Sequence, residues 1–215
     1  MKNLLTIVVA CLVSTPALSS DTPCGGASLF DCGAQSEEKV LNAYKSVFTR
    51  EQNVLTVTSR NGKKKQYVGL TDREGPEGGP WYYVLGYWPS VQWYSILEAK
   101  DLGESLTPFL VDIEHGYRET KINGWPVLSP NQKKVVAYNL DITAHYSPNG
   151  VAVYSISKDG NLAREYMIDK NEWGVSHAEW ASNDLILLDT ESICGMQTCK
   201  DKKVLQYMNG EWVLK

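Results

Sequence analysis

The sequence has 215 residues, of which 43% are hydrophobic, 10% aromatic and 21% charged, and its formal net charge is −4. This length fits one globular domain, since domains typically contain about 50–250 residues. The lysines stand in short, separate runs at Lys63–Lys65, Lys133–Lys134 and Lys202–Lys203, whereas nucleic-acid-binding proteins concentrate their basic residues in one patch. Composition and charge therefore exclude nucleic acid as the expected partner.

The first element along the chain has the pattern of an export signal. Its apolar run, Leu4–Val13, is shorter than the about 20 residues that a membrane-spanning helix needs. Small residues at Ala17 and Ser19 form a cleavage site, so residues 1–19 are expected to be removed as a signal peptide. The alternative is a lipoprotein signal in which Cys11 carries the lipid anchor. We therefore expect a periplasmic or secreted protein, or else a lipoprotein, and no later stretch predicts a membrane span.

Once the signal is removed, an even number of cysteines remains: Cys24, Cys32, Cys194 and Cys199. An even count in an exported chain predicts disulfides, and four cysteines allow three connectivities. The simplest joins neighbours along the chain, Cys24 with Cys32 and Cys194 with Cys199. A zinc site that adds His177 and Glu179 to the second pair is disfavoured, because C-x4-C is wider than the usual zinc spacing. We expect no metal and no cofactor.

The mature chain is predicted to have two parts, an N-terminal segment over 20–50 that is pinned by a disulfide and a β-rich domain over 51–215. The clearest helix is predicted over 35–49, with Ser36 near its start. Its apolar residues recur at spacings of three and four: Val40, Leu41, Tyr44, Val47 and Phe48. The fold class that follows is mainly β, with one short N-terminal helix.

Four glycine turns, each flanked by strand-like runs, recur at similar intervals along the β-rich part. They lie at Gly62, Gly116, Gly160 and Gly210, at intervals of 54, 44 and 50 residues. Asn or Asp precedes three of them, which is the strongest short signal for a β-hairpin, and His115 precedes the fourth. The intervals are close to the length of one four-stranded propeller blade.

The stretch 81–94 contains seven aromatic residues among fourteen. We expect a hairpin with strands over 81–87 and 91–97, in which alternation places Trp81, Tyr83, Leu85 and Tyr87 on one face. Most of these rings are expected in a core. Trp88 and Trp93, beside the turn at Pro89, are the exceptions that we expect to face a partner.

Residues 125–138, W-P-V-L-S-P-N-Q followed by the strand K-K-V-V-A-Y, resemble the S-P-D-G element of β-propellers such as the periplasmic propeller of the Tol system. Residues 178–188 resemble a shortened second copy. Asn131-Gln132 replaces the Asp-Gly of the motif, and the similarity covers residues 105–190. The resemblance implies antiparallel sheets in a partial, half-propeller-like stack.

No nucleophile motif, metal-binding motif or phosphate-binding glycine loop is found in the sequence. A carboxylate pair remains an alternative, with these candidates: Asp112, Glu114, Asp141 and Glu179. The loop 143–150 is the stronger candidate for binding, since loops on a rigid sheet often carry function. Its candidate contact residues are His145, Tyr146, Ser147 and Asn149.

The profile is similar to that of periplasmic immunity and inhibitor proteins: small, exported, acidic and without a catalytic set. The mature chain would have 20 Lys+Arg, after the loss of Lys2, against 25 Asp+Glu, which favours a basic partner such as a cell-wall hydrolase. The predicted function is a protein-binding module, not an enzyme, that occludes a wall-degrading effector. The alternatives are an envelope assembly scaffold, a peptidoglycan- or carbohydrate-binding domain and a hydrolase with a carboxylate pair.

Overall fold

The computed structural model describes residues 29–70, 79–101, 105–143 and 148–215, with side chains described from Gly33 onward. The helix is α1 (Leu29–Ala43). The strands of the first two sheets are β1 (Phe48–Glu51), β2 (Val54–Thr58), β3 (Lys64–Val68), β4 (Trp81–Trp88), β5 (Trp93–Lys100), β6 (Ser105–Asp112) and β7 (Arg118–Lys121). The strands of the last two are β8 (Trp125–Leu128), β9 (Lys134–Asn139), β10 (Gly150–Ile156), β11 (Leu162–Asp169), β12 (Trp173–Ser182), β13 (Leu185–Cys194), β14 (Gln197–Met208) and β15 (Glu211–Leu214).

The protein is mainly β, as predicted, and the strands of the described residues form four antiparallel sheets that follow one another along the chain. The first sheet has three strands (β1–β3), and the second (β4–β7), third (β8–β11) and fourth (β12–β15) have four each. Every sheet is a simple meander in which neighbours in sequence are neighbours in space. This succession of meanders does not contradict the expected partial, half-propeller-like stack.

The four regularly spaced glycines each fall in a different sheet. Gly62, Gly116, Gly160 and Gly210 each lie in the hairpin that joins the last two strands of one sheet, and each has a positive φ, from +68° to +91°. The propeller-like motifs also take equivalent places. The turn at Ser129–Gln132 joins the first two strands of the third sheet, and the turn at Asn183–Asp184 joins the first two of the fourth.

The helix is present, but the predicted bounds of 35–49 were wrong at both ends. It begins six residues earlier, and Ser36, expected near its start, is buried inside it. It ends at Ala43 because Phe48 is drawn into β1, where it pairs with Val57 and is 1% exposed. The apolar spacing over Val47 and Phe48 fits a helix and a strand equally well, and packing against the first sheet decides it.

Among the described residues, three apolar clusters hold the sheets together. The first two sheets and α1 share a cluster that contains Phe48, Leu55 and Tyr94. The second and third sheets share a cluster around Trp93 and Tyr154. The largest cluster joins the second, third and fourth sheets. Each sheet is therefore covered on the face that meets its neighbour, which explains why the strand sequences of the middle sheets are apolar on both faces.

The alternation predicted for the aromatic stretch fails at one point. Tyr83 and Leu85 face the largest cluster as expected, but Tyr87 packs in the cluster against the first sheet. The cause is a register shift in β4, where Val84 pairs with Ile96 and Gly86 pairs with Ser95, so that one extra residue is inserted. Such a bulge moves every later side chain to the opposite face.

The expected bond between Cys194 and Cys199 is present, with a Cα–Cα distance of 5.8 Å. The predicted signal peptide, Cys11 and Cys24 lie outside the described residues, as does the side chain of Cys32. Within the ranges that the structure describes, no helix is long and apolar enough to cross a membrane.

Candidate functional site

The expectation that Trp93 faces a partner was wrong. Its ring is 4% exposed and packs between the second and third sheets with Leu110 and Tyr154. Trp88, its cross-strand neighbour, is half-buried against the same cluster, and only Pro89 and Ser90 of the turn are exposed. This turn therefore offers one partly covered ring and little apolar surface.

The loop predicted over 143–150 joins β9 to β10, and three of its candidate residues, His145, Tyr146 and Ser147, lie outside the described residues. The fourth, Asn149, is buried at 2% exposure and not available to a partner. Its amide nitrogen donates to the carbonyls of Lys170 (2.7 Å) and Trp173 (3.1 Å), and its amide oxygen accepts from the backbone of Asp141 (2.9 Å). Asn149 therefore anchors the crossing from the third sheet to the fourth.

Three of the four candidate carboxylates, Asp112, Glu114 and Glu179, have different local environments. Asp112 is buried and accepts from the backbone N–H of His115 (3.1 Å), while its other oxygen lies 2.6 Å from Nδ1 of the same residue. Glu114 is exposed in the turn that follows β6, and Glu179 is exposed on β12. Across the described residues, no group of three or more His, Cys, Asp or Glu side chains could hold a metal ion.

The hairpin of β13 and β14 extends beyond the sheet that contains it. On one side, β12 pairs with β13 only as far as Ser192. On the other, the ladder of β15 with β14 covers only Leu205–Met208. The end of the hairpin is residues 193–199, which we call the tip, and among the described residues it pairs with no strand outside the hairpin. Its two strands are joined by the Cys194–Cys199 disulfide, so the tip is a covalently closed projection of the fourth sheet.

The tip presents apolar side chains to solvent. Ile193 is 58% exposed and Met196 is fully exposed, at the turn where Gly195 has a φ of +66°. Contiguous apolar patches on a protein surface often mark sites of contact with another molecule, and these two side chains form the apolar part of the tip.

Two complementary ion pairs lie next to the tip, where the hairpin joins the rest of its sheet. Lys200 lies opposite Glu191 in the ladder, with a 3.5 Å ion pair, and Lys202 lies opposite Asp189 at 3.4 Å. Exposed pairs of this kind contribute little to stability, typically about 0.2–1 kcal/mol. Their effect is to give the tip an apolar centre with a polar rim, which is the common anatomy of protein interfaces. Lysines on the open edge of β14 also hinder pairing with another strand.

The sequence predicted the bond between Cys194 and Cys199 but did not single out the tip as a candidate site. The available signal is the segment 193–199, I-C-G-M-Q-T-C, in which two cysteines enclose a glycine turn beside Ile and Met. In the comparisons with known proteins, no family model matches the chain, and no match is found among curated proteins.

Proposed function

We propose that this protein is an exported, periplasmic protein-binding module that acts as an inhibitor or immunity protein and has no catalytic activity of its own. The observation that supports it best is the tip, a disulfide-closed hairpin with exposed Ile193 and Met196 beyond the covered part of its sheet. A disulfide also fits an exported protein, since such bonds persist in oxidising compartments.

The mechanism is occlusion of a cleft in the partner. A narrow hairpin enters a concave active site more readily than a flat sheet face, and the disulfide fixes its backbone before binding. Because the tip is already ordered, little conformational entropy is lost on association. Ile193 and Met196 would occupy the centre of the contact, with the flanking ion pairs as its rim.

The net charge favours a basic partner. With residues 1–19 removed, 20 Lys+Arg face 25 Asp+Glu, so the mature protein attracts a basic hydrolase at long range and raises the association rate. The charges beside the tip are balanced, so this steering comes from the whole surface.

The test is affinity capture from an envelope fraction with the mature chain, residues 20–215, followed by mass spectrometry and measurement of Kd. A variant with Ile193→Asp and Met196→Asp keeps the disulfide and makes the tip polar. The matched control is Leu187→Ser, which changes another exposed apolar residue of β13.

We expect one stoichiometric protein partner whose binding weakens by about 2 kcal/mol or more in the tip variant, the scale of an interface hot spot, and stays unchanged in the control. Loss of partner activity on binding would identify inhibition. Capture of no protein, or capture that is indifferent to the tip variant, would refute the proposal.

A further inference from the structure

A groove opens between β3 of the first sheet and the inner face of the second sheet. Its volume is about 220 Å³, and its lining combines aromatic rings with charged side chains: Lys65, Tyr67, Tyr82, Glu98, Phe109 and Glu119. We call it the tyrosine groove. It is smaller than the roughly 300–1,000 Å³ of sites for drug-sized ligands, and so fits a ligand of one ring.

The register of the second sheet places the polar groups of the groove on one face. Glu119 pairs with Val111, which pairs with Tyr94, while Glu98 lies on the same face of β5 four residues further along. Tyr82 lies directly opposite Glu98 and donates its hydroxyl to that carboxylate at 2.9 Å.

Tyr67 closes the inner end of the groove. Its hydroxyl donates to Glu119 at 2.9 Å and shares a 2.8 Å hydrogen bond with the hydroxyl of Tyr94. Burial raises the pKa of Tyr67 above its ordinary value, and burial together with the bond to Glu98 raises the pKa of Tyr82 to about 12. Both phenols therefore remain protonated donors at neutral pH.

The negative charges of the two groove carboxylates are compensated by neighbouring lysines. Lys65 lies 3.2 Å from Glu119, and Lys100 lies 3.0 Å from Glu98. Two carboxylates and two ammonium groups cancel, so a cation would have to displace a tethered lysine and an anion would meet two carboxylates. The electrostatics thus favour a ligand without charge.

We propose that the tyrosine groove binds a neutral sugar ring. The half-buried rings of Tyr82 and Phe109 provide aromatic surface, whose negative face attracts the slightly positive C–H bonds of a sugar. The lone pairs of Glu98 and Glu119 that their present partners leave unused accept sugar hydroxyls, and Lys65 donates to a ring or hydroxyl oxygen. A neutral ligand rich in hydroxyls matches both the rings and the balanced charges.

The backbone spacing of the two glutamates does not match the geometry of a retaining glycosidase. Four residues along the strand and two strands across place the Cα atoms of Glu98 and Glu119 roughly 16 Å apart. Retaining glycosidases hold their carboxyl groups about 5 Å apart, and two glutamate side chains do not close that gap. The sugar site is independent of the proposed inhibitor function, since the tip belongs to the fourth sheet and shares no residue with the groove.

The test is an NMR titration of the mature chain with chitotriose and, separately, cellotriose, both neutral oligosaccharides, at concentrations up to about 10 mM, where weak single-ring sites are detected. The variants are Tyr82→Ala, which removes the stacking ring, and Glu98→Gln, which keeps the shape and removes one charge. The control is Tyr207→Ala, which deletes a partly exposed ring on the fourth sheet.

We expect saturable shifts of the amides of β3, β5 and β6 with at least one of the two sugars, weakened about tenfold or more by either groove variant and unchanged in the control. Absence of saturable shifts with both sugars overturns the proposal. So does saturable binding of tetramethylammonium at these amides in place of the sugars, since it would assign the groove to cations.

Discussion

Replacing Glu37 with Gln tests how the helix is attached to the sheets. Glu37 is buried on α1, and its carboxylate accepts from Nε (2.6 Å) and Nη2 (2.5 Å) of Arg50 on β1 and from the backbone N–H of Val84 on β4 (3.1 Å). Arg50 also donates to the carbonyl of Tyr82. One carboxylate therefore joins three elements, with side-chain exposures of only 14% for Arg50 and 9% for Glu37.

The expected loss follows from the charge that is left behind. Removing one partner of a buried ion pair costs about 3–5 kcal/mol, because the other charge remains buried without compensation. Glutamine keeps one acceptor oxygen, so we expect the lower end, about 3 kcal/mol. With a urea m-value of about 2 kcal/mol/M, the unfolding midpoint should fall by about 1.5 M at unchanged m.

The assay is urea unfolding followed by circular dichroism, with two comparison variants. Glu38→Gln changes the exposed neighbour on the same helix and should alter stability by less than about 0.5 kcal/mol. The double variant Glu37→Leu with Arg50→Met removes both charges and should recover most of the loss. A decrease of less than about 1 kcal/mol for Glu37→Gln would show that the pair is not held in a buried, desolvated bridge.

Three further outcomes are expected. Burial raises the pKa of Glu165, but hydrogen bonds from Trp212 (2.9 Å) and Lys134 outweigh it and leave the pKa below its usual value. Glu165→Gln should therefore lower the free energy of unfolding by about 1 kcal/mol at pH 7. When unfolding is measured over a range of acid pH, the difference in stability between this variant and wild type should fade below about pH 4, and a difference that stays constant would refute the prediction. Gly124→Ala should lower the free energy of unfolding by about 2 kcal/mol or more, because φ is +144° and a Cβ would lie 2.2 Å from the Tyr138 carbonyl oxygen. Gly62→Ala, where φ is +79° and the space around a Cβ is open, should lower it by only about 1 kcal/mol. Both values are measured by urea unfolding, and equal losses would contradict the close approach at Gly124. Changing both tip cysteines to serine should lower the global free energy of unfolding by well under the about 2 kcal/mol that the loop-entropy model gives for this disulfide. Hydrogen exchange of the tip amides should become fast in the same variant. A loss of the full amount, about 2 kcal/mol, in global stability would mean that the tip supports the core.

The local signals of the sequence predicted the sheet organisation well, because they depend on single residues. A glycine that must adopt positive φ identifies its hairpin whatever surrounds it, so Gly62, Gly116, Gly160 and Gly210 placed the last turn of all four sheets. Short-range pairing of Cys194 with Cys199 was predictable for a similar reason, since a separation of five residues suits a hairpin end.

Features that depend on packing were not predictable in the same way. An inserted residue in β4 leaves no mark in the alternating pattern, yet it moves Tyr87 to the face that meets the first sheet. Trp93 follows a turn, where exposure was expected, but the third sheet covers it completely. The tyrosine groove joins Tyr67 to Glu119, which are 52 residues apart, so no spacing within the sequence indicates it.

The tip remains the part of the structure that folding does not explain. Ile193 and Met196 belong to none of the three apolar clusters, and their exposure leaves their apolar surface available to another molecule. A disulfide that closes so short a loop stabilises the tip itself more than the sheet behind it. A disulfide-closed element with apolar side chains at its end has the properties that the proposed entry into a partner's cleft requires. Its removal should therefore separate binding from stability, whereas the same change in a core hairpin would abolish both.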